Sequence, residues 1–145
     1  MIDRLEQKIY RINFLANTMD ALYHQAAKRL GSADSVLYIL YTVHSNGESC
    51  PLSDLYKISA ISKQTINSAI RKLEAEGDIY LKMHDGKSKI VCLTEKGRDY
   101  TRETAEKLLA AEGAAFADWN AEELDAYLHL IEKHVASLRK QFGRL

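Results

Sequence analysis

"SKQTINSAIRKLEAEGDI", Ser62 to Ile79, opens on small polar side chains and closes on a charged, helical tail. Solvated surface helices usually fill their exposed positions with Glu, Lys and Gln, which lose little rotamer freedom, whereas Ser, Thr and Asn are poorer helix formers. Several of the latter on one face point to a use other than solvation. Ile66, Ala69, Ile70 and Leu73 share one face of this helix, so Gln64, Thr65, Ser68 and Arg71 look outward with Asn67 at the margin. Ser62 is placed as the N-cap and Gly77 as the C-terminal stop.

Upstream, Pro51 suits the first turn of a short helix "LSDLYKIS". Before it, "SVLYILYTVHSNG" reads as a helix capped by Ser32 or Asp34 and ended by Asn46-Gly47. Residues 1 to 30 form one long helix. Ile2, Leu5, Ile9, Ile12, Ala16, Met19, Tyr23, Ala26 and Leu30 keep helical spacing throughout, and Phe14, Leu15 and Leu22 widen the apolar face.

Downstream, "IYLKMH" and "KIVCLT" are strand-like runs separated by Asp85-Gly86, which signals a tight hairpin. Thr94 caps a further helix, "EKGRDYTRETAEKLLAAEGAAF", and Asn120 with Glu123 makes a capping box for the last one. That last helix carries Leu124, Leu128, Ile131, Val135, Leu138 and Phe142 on one stripe.

Two helices joined by a short turn and followed by a hairpin form a winged helix-turn-helix. The predicted fold is mainly α with a small β-hairpin wing, the winged helix-turn-helix occupying residues 32–94. Residues 1–31 and 95–145 supply a helical dimerisation region. A recognition helix must bury one face and push the other into a major groove. Base edges there call for Gln, Asn, Arg, Ser and Thr, and the helix N-terminus favours phosphate. Ser62, Lys63, Gln64, Thr65, Asn67, Ser68 and Arg71 supply that set, and Lys87 and Lys89 stand on the wing.

Charge agrees with this placement. Lys plus Arg and Asp plus Glu balance at 20 each over 145 residues, so bulk charge selects no partner. Lys57 to Lys89, however, holds seven bases and four acids, a local excess of three positive charges. A basic middle between acidic flanks suits a polyanion. The composition is otherwise that of a soluble globular protein, with no signal peptide and no membrane span in the reading. Cys50 and Cys92 fit a reduced, cytoplasmic setting and read as small buried hydrophobes.

The segment "LSDLYKISAISKQTINSAIRKLEAEGDI", followed by "DGKSKIVCLTEKG", resembles the MarR family of bacterial transcriptional regulators. Ser62, Thr65, Ile66, Ile70, Leu73, Glu74 and Gly77 match the family pattern, as does "LTEKG" at Leu93 to Gly97. The similarity covers residues 35 to 110, with the terminal helices alike in length and placement. It implies a homodimer with intertwined terminal helices, pseudo-palindromic operators in double-stranded DNA, and repression, often relieved by a small-molecule effector.

Two departures bear on recognition. The wing is short, with Lys87 standing where many members carry an arginine that enters the minor groove; lysine cannot fork and acts as a point charge. Ser68 occupies a position often held by Arg, while Arg71 sits one turn later.

The terminal stripes supply an expected dimer interface of Ile2, Leu5, Ile9, Ile12, Leu128, Ile131, Val135 and Leu138. Phe14, Asn17, Tyr38, Tyr41 and His44 could line an effector cleft between dimer and DNA-binding regions, although aromatics at helical spacing are more often core. No catalytic, cofactor or metal motif is present in the sequence; His129 and His134, five apart, face different ways on a helix. The first reading is a dimeric, sequence-specific DNA-binding regulator. The alternative is a winged-helix adaptor with little DNA affinity.

Overall fold

The computed structural model describes residues 3–57 and 61–145. Helix α1 spans Arg4–Arg29. Asp3 caps it in a box with Glu6, and Gly31 ends it at φ 69°, where the Ser32 amide donates to the Ala27 carbonyl at 3.0 Å. That is a helix stop only glycine adopts without strain. Ile2, expected on the stripe of α1, lies outside the described residues.

Helix α2, Asp34–Ser45, carries the core: Val36, Leu37, Ile39, Leu40 and Val43 are all buried. Neither Ser32 nor Asp34 caps it, contrary to the sequence reading; the N-cap is Ala33, with no side-chain bond. The Asp34 carboxylate is engaged elsewhere, 2.8 Å from His24 Nδ1 on α1.

A short strand follows, β1 (Ser49–Pro51), so Pro51 ends a strand rather than opening a helical turn. The wing is therefore a three-stranded antiparallel sheet of order β1-β3-β2, not a bare hairpin, with β2 at Ile79–Met83 and β3 at Lys89–Leu93. β1 is an edge strand, where a missing N–H is tolerated. It pairs Ser49 with Cys92 and Cys50 with Val91. Both cysteines are buried, and burial, helped by Asp54 and Cys92, pushes the Cys50 thiol up to about 11.

Helix α3, Leu52–Lys57, precedes helix α4, Lys63–Ala75. Ile58 and Ser59 of the expected short helix lie outside the described residues. α4 buries Ile66, Ala69, Ile70 and Leu73, the four expected positions. Gly77 follows its C-cap, Glu76, at φ 79°, and the Asp78 amide reaches back to the Leu73 carbonyl at 2.9 Å.

The expected long helix after Thr94 is two helices, α5 (Glu95–Glu103) and α6 (Ala105–Ala115). The break is Thr104, at φ −125° and ψ −83°. Thr101 and Thr104 each donate their hydroxyl to the carbonyl four residues back, both at 2.7 Å. Such side chains compete with the helical ladder, which composition alone does not reveal. Helix α7, Ala121–Phe142, starts on the expected capping box, with Asn120 accepting from the Glu123 amide at 2.8 Å and Glu123 from the Asn120 amide at 3.1 Å.

The chain divides into two compact units, one through Leu109 and one of Ala110–Leu145. The hydrophobic core of the first joins α2, α3, α4 and the sheet around Ile39, Leu40, Leu55, Ile66 and Val91. In the second, Trp119 stacks edge-on against Phe116 and Tyr127 at centroid distances of 4.9 and 5.3 Å. No helix among the described residues is long and apolar enough to cross a membrane.

Candidate nucleic-acid interface

Helix α4 is held at both ends by its own sequence. The Ser62 hydroxyl accepts from the Thr65 amide at 3.1 Å and donates to Thr65 Oγ1 at 2.8 Å. This satisfies one orphan amide and pins the first turn. With the apolar face buried, Lys63, Gln64, Thr65, Ser68 and Arg71 are exposed together. Arg71 forms no ion pair with a described residue, so its five donors are available to a ligand.

Asn67 differs from the others. It is half-buried, and Tyr56 of α3 donates its hydroxyl to Asn67 Oδ1. The Tyr56 ring also lies under the Lys63 ammonium, 4.8 Å from the centroid. Sequence reasoning does not single out Tyr56. Its four-residue spacing from Leu52 marks only a shared helix face, and nothing in sequence marks a partner across the turn.

The wing tip is ordered by one carboxylate. Asp85 accepts from the amides of Lys87 and Ser88, at 3.2 and 3.0 Å, and from the Ser88 hydroxyl at 2.9 Å. These bonds, the Ser88 hydroxyl first, hold its carboxyl below the usual aspartate value. The His84 amide donates to the Ser88 carbonyl at 2.9 Å, which leaves Asp85, Gly86 and Lys87 as the loop. Lys87 therefore sits within a three-residue loop, where the Asp85 side chain supplies the turn's bonds. Lys87 and Lys89 are exposed and form no ion pair with a described residue. Between α3 and the wing lies an open cleft of about 340 Å³ lined by Leu52, Ser53, Tyr56, Lys87, Ser88 and Lys89. Thus α4, α3 and the wing present hydroxyls, amides and cations from one unit.

The other expected sites divide by element. Leu5, Ile9 and Ile12 are exposed on α1, which buries only Ala27; Leu128, Ile131 and Val135 are exposed on α7, with Leu138 half-buried. Of the expected effector residues, Phe14 and Asn17 lie exposed on α1, and the Arg11 guanidinium stands 5.4 Å over the Phe14 ring. Tyr38, Tyr41 and His44 are half-buried on α2, with His44 Nδ1 3.6 Å from the Glu106 carboxylate. Burial raises the Tyr38 phenol above its usual value. Among the described residues no three His, Cys, Asp or Glu side chains gather as a metal site.

No family model matches the sequence, and no curated protein matches it. Solved structures do. A MarR family regulator from Streptomyces coelicolor in complex with DNA is 19% identical, with a TM-score of 0.70 over 96% of this chain and 91% of its own. A putative MarR family regulator from Listeria monocytogenes, complexed with a 26mer DNA, is 22% identical with a TM-score of 0.69 over 97% and 92%. BpsR of Bordetella bronchiseptica, whose DNA binding is regulated by 6-hydroxynicotinic acid, is 18% identical with a TM-score of 0.63 over 86% and 98%. The Streptomyces protein is named a transcriptional regulator and the Listeria protein a putative one. Helix order and the winged sheet together make this the fold of the MarR-family transcriptional regulators.

Proposed function

We propose that the protein is a dimeric, sequence-specific DNA-binding transcriptional regulator, acting as a ligand-responsive repressor in the cytoplasm. The carrying observation is α4 itself: one face wholly buried, the other an uninterrupted row of Lys63, Gln64, Thr65, Ser68 and Arg71. A surface helix with no partner has no reason to collect groups that match base edges. The DNA complexes of the Streptomyces and Listeria proteins support the same reading.

The winged region, residues 32–94, is the DNA-reading part. Residues 1–31 and 95–145 are the dimerisation part, because α1 and α7 leave apolar rows exposed in one chain. Contiguous apolar surface of that kind marks an interface. A two-fold dimer presents two recognition helices, and so reads a pseudo-palindromic operator. Phe14, Asn17, Tyr38, Tyr41 and His44 are the effector residues of this reading, which the ligand-regulated BpsR supports by analogy of fold.

The test is anisotropy of a labelled duplex from the promoter beside the gene, titrated with salt. Specific binding with a steep negative slope of log affinity against log salt is expected, since phosphate contacts release counterions. A flat slope with no sequence preference would favour the adaptor reading instead.

A further inference from the structure

We infer that Lys96 is a positioning residue for α4: its ammonium clasps the C-terminal end of that helix through the buried carboxylate of Asp78, and the pairing sets how α4 meets DNA. The inference rests on the DNA-binding reading above. Glu76, Gly77 and Asp78 are the whole connection between α4 and β2. The Asp78 amide donates to the Leu73 carbonyl at 2.9 Å, and the Asp78 carbonyl accepts from the Thr94 amide at 3.1 Å, so its backbone ties α4 to the start of α5. The side chain lies between the same two helices. Asp78 is 3% exposed, and its Oδ1 has no hydrogen-bond partner among the described residues. Near that oxygen stands the Lys96 ammonium, 3.9 Å away, on the first turn of α5. Lys96 also donates to the carbonyl of Glu76, the C-cap of α4. One cation thus serves a buried carboxylate and the end of a helix, where positive charge is favoured.

A carboxylate left buried without its counter-charge is costly. Burial raises the Asp78 carboxyl above the usual aspartate value, Lys96 opposes the rise, and Glu76 adds to it. Those two charges act on it from α5 and from the end of α4, while Ile79 on β2 and its partner Leu93 on β3 are apolar and buried. A carboxyl raised in the folded protein weakens the joint in its charged form, and the cost is relieved as pH falls through its folded pKa. Without Lys96 the carboxyl rises further, so at neutral pH the joint must yield or take up a proton. A joint that yields re-aims Gln64, Thr65, Ser68 and Arg71, which all stand on α4.

The test compares the wild type with Lys96→Gln, Lys96→Arg, Asp78→Asn and the Asp78→Asn, Lys96→Gln double variant, all as full chains. Urea unfolding first finds a temperature at which every variant is folded, so that lost affinity is not lost protein. Affinity for the promoter duplex is then measured at about pH 7 and about pH 5, a range over which a raised carboxyl titrates. Lys96→Gln keeps an N–H donor and loses only the charge. At neutral pH it is expected to bind on the order of fivefold more weakly than the wild type. That ratio should shrink on acidification, as the uncovered Asp78 carboxyl takes up a proton. Lys96→Arg keeps the charge and should bind like the wild type. In the Asp78→Asn background, Lys96→Gln should make no difference.

Unchanged affinity of Lys96→Gln at neutral pH, a loss that Lys96→Arg shares, or a loss that acidification leaves unchanged would each overturn the inference. So would a loss that persists with Asp78→Asn, which would make Lys96 a phosphate contact instead. A wild type with no sequence preference and a flat salt slope overturns the DNA-binding reading, and this inference with it. Specific binding by the wild type beside variants that depart from these expectations confines the failure to Lys96.

Discussion

A Cβ on Gly97 would stand 1.8 Å from the carbonyl oxygen of Asp78. Thr94 draws the two together: its amide donates to the Asp78 carbonyl at 3.1 Å, while its hydroxyl donates to the Gly77 carbonyl at 2.6 Å and accepts from the Gly97 amide at 2.9 Å. The first turn of α5 is thereby seated on the junction between α4 and β2. This is the physical content of the "LTEKG" motif. Gly97→Ala should lower stability by at least about 1–3 kcal/mol, because backbone rather than a flexible side chain must yield. Equilibrium urea unfolding measures it, and an unchanged midpoint would show that the close approach can relax freely.

Ser62→Ala removes the acceptor for the Thr65 amide and loosens the first turn of α4. A stability loss of about 1 kcal/mol is expected. Ser62→Asp should recover most of it, since aspartate also caps. If alanine and aspartate behave alike, the cap is not what holds this turn.

Arg71 is exposed and unpaired among described residues, one turn beyond Ser68. Arg71→Ala should cost about 1–3 kcal/mol at a selected operator and relax the preference at one position. An equal loss on scrambled DNA would make Arg71 a phosphate ligand instead.

Lys87 and Lys89 border the cleft beside the wing and carry no counter-ion from the described residues. Neutralising both should weaken operator and scrambled duplexes alike, with base preference unchanged. The salt slope should fall by roughly one unit for each phosphate no longer neutralised, so about four for a dimer. An unchanged slope in the double alanine variant would mean that the wing does not meet DNA.

Leu128 and Ile131 are 55% and 41% exposed in the single chain. Glutamate at either position should dissociate or unfold the proposed dimer, because a charge buried at such an interface has no partner. Light scattering decides. A wild type that is monomeric at micromolar concentration would remove the dimer reading altogether.

The helical and strand periods are legible because they depend on neighbours in sequence. Residues at three and four apart must share a helix face, which locates the buried Ile66, Ala69, Ile70 and Leu73 of α4 and the terminal stripes. Caps are equally local, and Ser62, Thr94 and Asn120 all act where local spacing puts them. Two short-range departures escaped the reading by spacing. Ala33 rather than Ser32 or Asp34 is the N-cap of α2, and the Asp34 carboxylate pairs with His24 of another helix. The helix after Thr94 breaks at Thr104, a residue buried by tertiary packing, where a continuous helical pattern marks no stop.

By itself, then, the chain's order of residues determined the winged helix-turn-helix and the outward row on α4, since backbone geometry converts spacing directly into faces. It did not determine which outward groups remain free. Tyr56 meets Asn67 across eleven positions, and β1 meets β3 across some forty, only after the core around Ile39, Leu55 and Val91 closes. Those pairings decided the third strand and the hydrogen-bonding state of Asn67, because a long-range pairing depends on where packing places two segments and no local period encodes that.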